Sequence, residues 1–145
     1  MTTIALDSVT ALDVVPSRAR RWTGRILTGL LAAFLAFDAG AKLLKAPQVL
    51  EACAKFGWAE STIVSVGALL LACTTLYLVP RTSVLGAVLL TGYFGGAIAF
   101  HVQVHNGAFP IVFAFVFGIV TWASLYLRGD HRVVALARTL VHGNH

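Results

Sequence analysis

The chain reads as an all-α polytopic membrane protein, a four-transmembrane-helix bundle with both termini cytoplasmic. Three observations predict this. Of its 145 residues, 58% are hydrophobic and only 12% are charged, against about 25% charged in a soluble domain. A soluble fold of this length cannot bury so much apolar surface, whereas hydrocarbon accepts it. The apolar residues fall into four stretches, each near the ~20 residues needed to cross a bilayer. Basic residues collect at the ends of alternate stretches, as the positive-inside rule requires. That clustering explains the net charge of +5 by topology. Nucleic acid is not an expected partner, because no basic, aromatic-interleaved surface remains once the spans are removed.

Residues 1–25 form a cytoplasmic tail and basic collar: a polar-to-mixed segment closed by Pro16, then Arg18, Arg20, Arg21 and Arg25 with Trp22 as an interface anchor. The membrane domain spans 26–128. Span one runs from Ile26 to Leu44, about 19 residues or roughly 28 Å of helix, and Lys45 and Pro47 end it. In the loop that follows, Val49, Leu50, Cys53 and Phe56 recur at helical spacing, which predicts a short interfacial helix capped by Gly57 and anchored by Trp58. Span two runs from Thr62 to Val79 and stops at the Pro80-Arg81-Thr82-Ser83 turn. Span three, Val84 to Val104, carries Gly92 and Gly96 in a GxxxG spacing that lets helices approach closely, in packing within the bundle or as the face of a homodimer. His105-Asn106-Gly107 makes the next turn, and span four runs from Phe109 to Leu127. Residues 129–145 form a cytoplasmic amphipathic tail, with a short helix over 130–141 that dips Val133, Val134, Leu136, Leu140 and Val141 into the membrane.

Orientation follows from the loops. The N-terminal flank, the Arg81 turn and the C-terminal flank are basic; the 45–60 loop is charge-balanced and the 105–108 turn has no Lys or Arg. Both termini therefore face the cytoplasm, in a plasma or inner membrane. Arg18–Arg25, Ile26–Phe37 and Ala39-Gly40-Ala41 also have the layout of a signal peptide. Apolar residues resume at Leu43-Leu44, so the segment reads as a retained span. Cys53 and Cys73 form no C-x-x-C and read as unpaired thiols.

The chemistry lies where polar groups interrupt the spans. Asp38 and Lys42 occupy span one, one helical turn apart and on one face. Each costs roughly 2.5–3.5 kcal/mol at the centre of a bilayer on insertion scales, so such residues mark a site by default. Asp38 lies roughly 18 Å along span one, and His101 roughly 25 Å along span three, which rises in the same direction. All three groups thus fall in the outer half of the bilayer and meet if spans one and three adjoin. In low dielectric the pair stays ionised only when other polar groups solvate it. His101 adds a proton-transferring side chain, Tyr93 extends the polar line inwards by about two turns, and Gln103 follows towards the water. Two readings stay open: a ligand, proton or quinone site, or a network that only locks helix register. No metal site is expected: His101 and His105 are spaced i, i+4, but His105 sits at the aqueous edge and no acidic ligand accompanies them.

The segments FDAGAKLLKAPQVLEACAKFGW, LVPRTSVLGAVLLTGYFGGAIAFHVQVHNGAFP and WASLYLR resemble the DoxX-like family of small four-span bacterial membrane proteins, over about Ile26 to Leu136. The matching pattern combines D-x-x-x-K-L ending span one, P-R-T after span two, T-G-Y-x-G-G-A and a histidine in span three, and W-x-x-L-Y-L-R closing span four. The resemblance carries Asp38, Lys42 and His101 over as the recurring polar positions. Where the family often has a basic residue two positions past the histidine, this chain has Gln103. The wider group includes membrane subunits associated with thiosulfate:quinone oxidoreduction and with oxidative-stress complexes. The resemblance thus points to a quinone- or sulfur-linked, redox-associated subunit; within it the residues themselves offer Asp38, Lys42 and His101 for proton transfer or ligand polarisation, and Tyr93 and Gln103 as candidate cofactor contacts. A redox partner protein is then required, because the sequence has no flavin, haem or iron–sulfur motif. On this reading the chain is at most an accessory or non-catalytic subunit of a membrane oxidoreductase. The alternative is a small carrier or a structural subunit whose polar cluster only fixes helix packing.

Overall fold

The computed structural model describes residues 18–54, 57–129 and 133. They form five helices: α1 (Arg18–Leu43), α2 (Pro47–Ala54), α3 (Glu60–Leu78), α4 (Ser83–Gln103) and α5 (Ala108–Arg128). Four of these, α1, α3, α4 and α5, are long and apolar enough to cross a membrane. They are spans one to four, and α2 is the short helix expected in the first loop. The expected C-terminal helix over 130–141 lies outside the described residues apart from Val133, which is helical and packs against the core.

Helix ends follow local chemistry. α1 starts eight residues before the expected Ile26, because the arginine collar itself is helical. At its other end Lys45 takes a left-handed backbone (φ 51°), and Ala46 N–H reaches back to the Ala41 carbonyl at 2.9 Å, a Schellman-type closure. Pro47 then opens α2, where its missing N–H removes no helical bond. His105 (φ 52°) closes α4 in the same way, with Asn106 N–H on the His101 carbonyl at 3.1 Å. Gly129 (φ 74°) does so for α5. The α3–α4 turn is tied by Thr82, whose hydroxyl donates to the Leu76 carbonyl at 2.8 Å.

The spanning helices form a ring in which α1 packs on α3 and α5, and α4 packs on α3 and α5. α1 and α4 are diagonal partners. The shared core comprises Leu31, Leu35 and Ala39 of α1, Leu70, Cys73 and Tyr77 of α3, Ala87, Leu90 and Phe94 of α4, and Ala114 and Leu125 of α5. Hydroxyls inside the spans satisfy themselves on the carbonyl four residues back: Thr28 on Gly24, Thr74 on Leu70, Thr91 on Ala87 and Thr121 on Phe117, each at 2.8 Å. With no water at that depth, such back-bonding removes the cost of an unpaired donor.

Backbone contact at glycine closes three of the four seams. A Cβ on Gly24 would lie 2.5 Å from the Arg128 nitrogen, which joins α1 to α5. One on Gly67 would lie 2.8 Å from Lys42 Cβ, and one on Gly86 would fall 2.2 Å from the Tyr77 nitrogen. The expected packing glycines are different ones. Gly92 and Gly96 have nothing within 4 Å of a built Cβ, so the GxxxG spacing takes no part in packing within the chain. They lie on the outward face of α4, which the core stripe Ala87, Leu90 and Phe94 does not include.

Gly86→Ala is expected to destabilise the bundle by about 1–3 kcal/mol, the usual cost of overpacking, while Gly96→Ala stays within about 0.5 kcal/mol of the parent. Thermal unfolding in detergent micelles reads both; equal effects at the two positions would refute the seam assignment.

Candidate functional site

The buried stripe of α1 runs through Gly24, Thr28, Leu31, Leu35 and Ala39. Lys42, seven residues beyond Leu35, falls on the same stripe, and Asp38 falls on its flank. The two are ion-paired, with Lys42 Nζ 2.5 Å from Asp38 Oδ2 and side-chain exposures of 19% and 36%. The α3 backbone at Gly67 lies against the first carbon of the Lys42 side chain. A second pair, Lys45 Nζ to Glu60 Oε2 at 2.9 Å, ties the end of α1 to the start of α3 nearby.

Tyr93, half-buried on α4, lies within electrostatic range of Asp38 and of the buried Cys73 thiol. The Lys42 ammonium and the Tyr93 hydroxyl are both donors, and the carboxylate is an acceptor.

His101 is placed differently. α3 and α5 separate α1 from α4, and neither Asp38 nor Lys42 makes a hydrogen bond or ion pair with the imidazole. Asn106 Nδ2 donates to His101 Nδ1 at 3.0 Å, which puts the neutral ring's proton on Nε2. The ring also stands edge-on to Phe100 at 5.6 Å, and Phe100 packs on Trp58 at 4.4 Å. Gln103, the last residue of α4, is exposed, and so is His105. The structure thus pairs Asp38 with Lys42 and holds His101 in an aromatic–amide cluster at the same end of the bundle.

A second polar cluster was not expected. Tyr77 and Ser124, both fully buried, share a short hydrogen bond. Ser124 also donates to the Thr121 carbonyl at 2.9 Å, which leaves its oxygen to accept from Tyr77. The Arg128 guanidinium lies 5.7 Å from the Tyr77 ring centroid. The missed signal is spacing: Ile63, Gly67, Leu70, Thr74 and Tyr77 mark one inward stripe of α3, and a tyrosine on it must find a partner across the core.

Four helices long and apolar enough to cross a bilayer define a multi-pass helical membrane protein. The chain belongs to the DoxX-like family, whose model matches residues 26–124. No curated protein and no solved structure matches it.

A double-mutant cycle on Asp38→Ala and Lys42→Ala is expected to return a coupling of about 0.5–3 kcal/mol, read by unfolding in detergent. Strictly additive losses would mean that the pair is not an energetic unit.

Proposed function

We propose that this DoxX-like protein is a redox-associated membrane subunit that receives the head of a quinone at Asp38, Lys42 and Tyr93. The supporting observation is the Asp38–Lys42 ion pair within a spanning helix, with Lys42 packed at its first carbon against α3 and Asp38 within electrostatic range of Tyr93. A quinone head presents carbonyl oxygens, which need donors, and Lys42 and Tyr93 are donors of suitable type. A bound quinone would supply two-electron, two-proton chemistry. Lys42 would stabilise negative charge building on a carbonyl oxygen. Asp38 would hold or release a proton beside it, His101, towards the water, would exchange protons with the aqueous phase, and Gln103 would offer a hydrogen-bonding contact. Electrons would come from a redox partner protein.

One observation favours a second reading, in which the pair is purely architectural. The Lys42 stem fills the site that Gly67 leaves open, so the pair also sets how α1 and α3 meet. Under that reading, neutralising Asp38 changes stability and nothing else.

Titration of the purified protein with a short-chain quinone separates the two. Under the redox reading Lys42→Met binds about tenfold to hundredfold more weakly, the loss expected for one charge-assisted hydrogen bond. Equal affinity in parent and variant, or no binding by the parent, removes it.

We also propose that the arginine-bearing end faces the cytoplasm of a plasma membrane. Arg18, Arg20, Arg21, Arg25, Arg81 and Arg128 support this. Single cysteines placed at Pro80 and Gly107, both exposed, in a Cys-free background should label from opposite sides of intact cells, the Gly107 position from outside. The open faces of Gly92 and Gly96 would suit a homodimer, and disulfide trapping at those positions would reveal it.

A further inference from the structure

Asn106 is bonded to His101 twice. Its backbone N–H donates to the His101 carbonyl at 3.1 Å, and its side-chain Nδ2 lies 3.0 Å from His101 Nδ1. The turn after α4 makes this possible. His105 takes a left-handed backbone (φ 52°) and Gly107 another positive φ (78°), so the chain folds back and Asn106 lies against the last turn of the helix. With its backbone already tied, the Asn106 side chain reaches the imidazole at little further cost in conformational freedom. Among the described residues it is the one polar side chain bonded to the ring, whose other contact is the edge-on Phe100 ring at 5.6 Å.

The residue type matters. A neutral imidazole has one donor nitrogen and one acceptor nitrogen, and the bond made at one decides the role of the other. Because Asn106 donates to Nδ1, the ring has Nε2–H left to bond elsewhere. An ionised aspartate in the same place could only accept, and would draw the proton to Nδ1. It would also set a negative charge beside the last carbonyls of α4, where the helix dipole is already negative. An amide avoids both effects. Turned over about its last torsion, it offers Oδ1 in place of Nδ2, so it can hold the ring with Nδ1 bare or with Nδ1 protonated.

We propose that Asn106 is a positioning residue for His101: it fixes the ring as an Nε2–H donor and turns its amide over when a proton enters at Nδ1. Proton passage through the ring then has a set order. A proton leaves Nε2 for an acceptor there, one arrives from water at Nδ1, and the amide changes from donor to acceptor, so that one proton enters for each that leaves. The use made of that passage rests on the redox reading above, in which His101 exchanges protons with the aqueous phase. The hold on the ring does not rest on it.

Heteronuclear NMR of the full chain, isotope-labelled at histidine, in detergent without quinone and at a pH where the ring is neutral, reads the tautomer. Loss of the signal in His101→Gln assigns it. The parent should show Nε2–H. Asn106→Ala keeps the backbone bond and should lower the ratio of Nε2–H to Nδ1–H about fivefold, the worth of one hydrogen bond. Asn106→Asp should invert the ratio in favour of Nδ1–H. His105→Asn, in the same turn and at an exposed position, should leave the parent's ratio. An Nδ1–H ring in the parent would overturn the proposal. So would the parent's ratio in both Asn106 variants, the result expected of a residue that only closes the helix. Titration of the same samples with a short-chain quinone is a separate measurement: no binding by the parent removes the redox reading, and the tautomers still decide the role of Asn106.

Discussion

Backbone contact at three glycines sets the geometry of this bundle. Lipid tails are as apolar as the side chains they would replace, so helices in a bilayer gain little from burying leucine and much from close approach. Gly24 brings α1 onto α5, Gly67 brings α1 onto α3, and Gly86 brings α3 onto α4. These contacts fix the ring order and with it the diagonal relation of α1 to α4. The fourth seam has no such contact, and aromatic rings between α4 and α5 hold an open groove in its place.

The same constraint shapes the polar groups. Gly67 is both a packing point and the surface against which the Lys42 stem rests. The ion pair is thus built into the α1–α3 seam and cannot be varied independently of it. At the arginine end, Gly24 carries the Arg128 backbone, and the Arg128 guanidinium lies near Tyr77, whose hydroxyl is held by Ser124. Each end of the bundle therefore couples a glycine contact to a polar link between side chains. A span that must satisfy every donor internally has few other places to put one.

Charge is distributed along the bundle with equal consistency. Arginines mark one end, and the mixed pairs Lys42–Asp38 and Lys45–Glu60 mark the other. The first arrangement matches an anionic surface and the second leaves little net field. Trp58, Phe100 and His101 pack at the mixed end, where the aromatic groups lie at the depth of the interface.

What the amino-acid order alone determined is what depends on neighbours in the chain. The four spans follow from runs of apolar residues, the turns from Pro80 and Gly107, and the Asp38–Lys42 pairing from a spacing of four on one helix. Helix starts were less legible: Arg18–Arg25 read as a collar because charge masks helicity there, yet the helix simply continues through it. The DoxX-like pattern was also readable, since it resides in local motifs. Only the tertiary structure decided which helices face each other. Ring order placed His101 on the helix diagonal to Asp38, chose Gly24, Gly67 and Gly86 over Gly92 and Gly96 as contact points, and joined Tyr77 to Ser124 across 47 positions. Such choices depend on the shapes of two surfaces at once, and no single span carries that information.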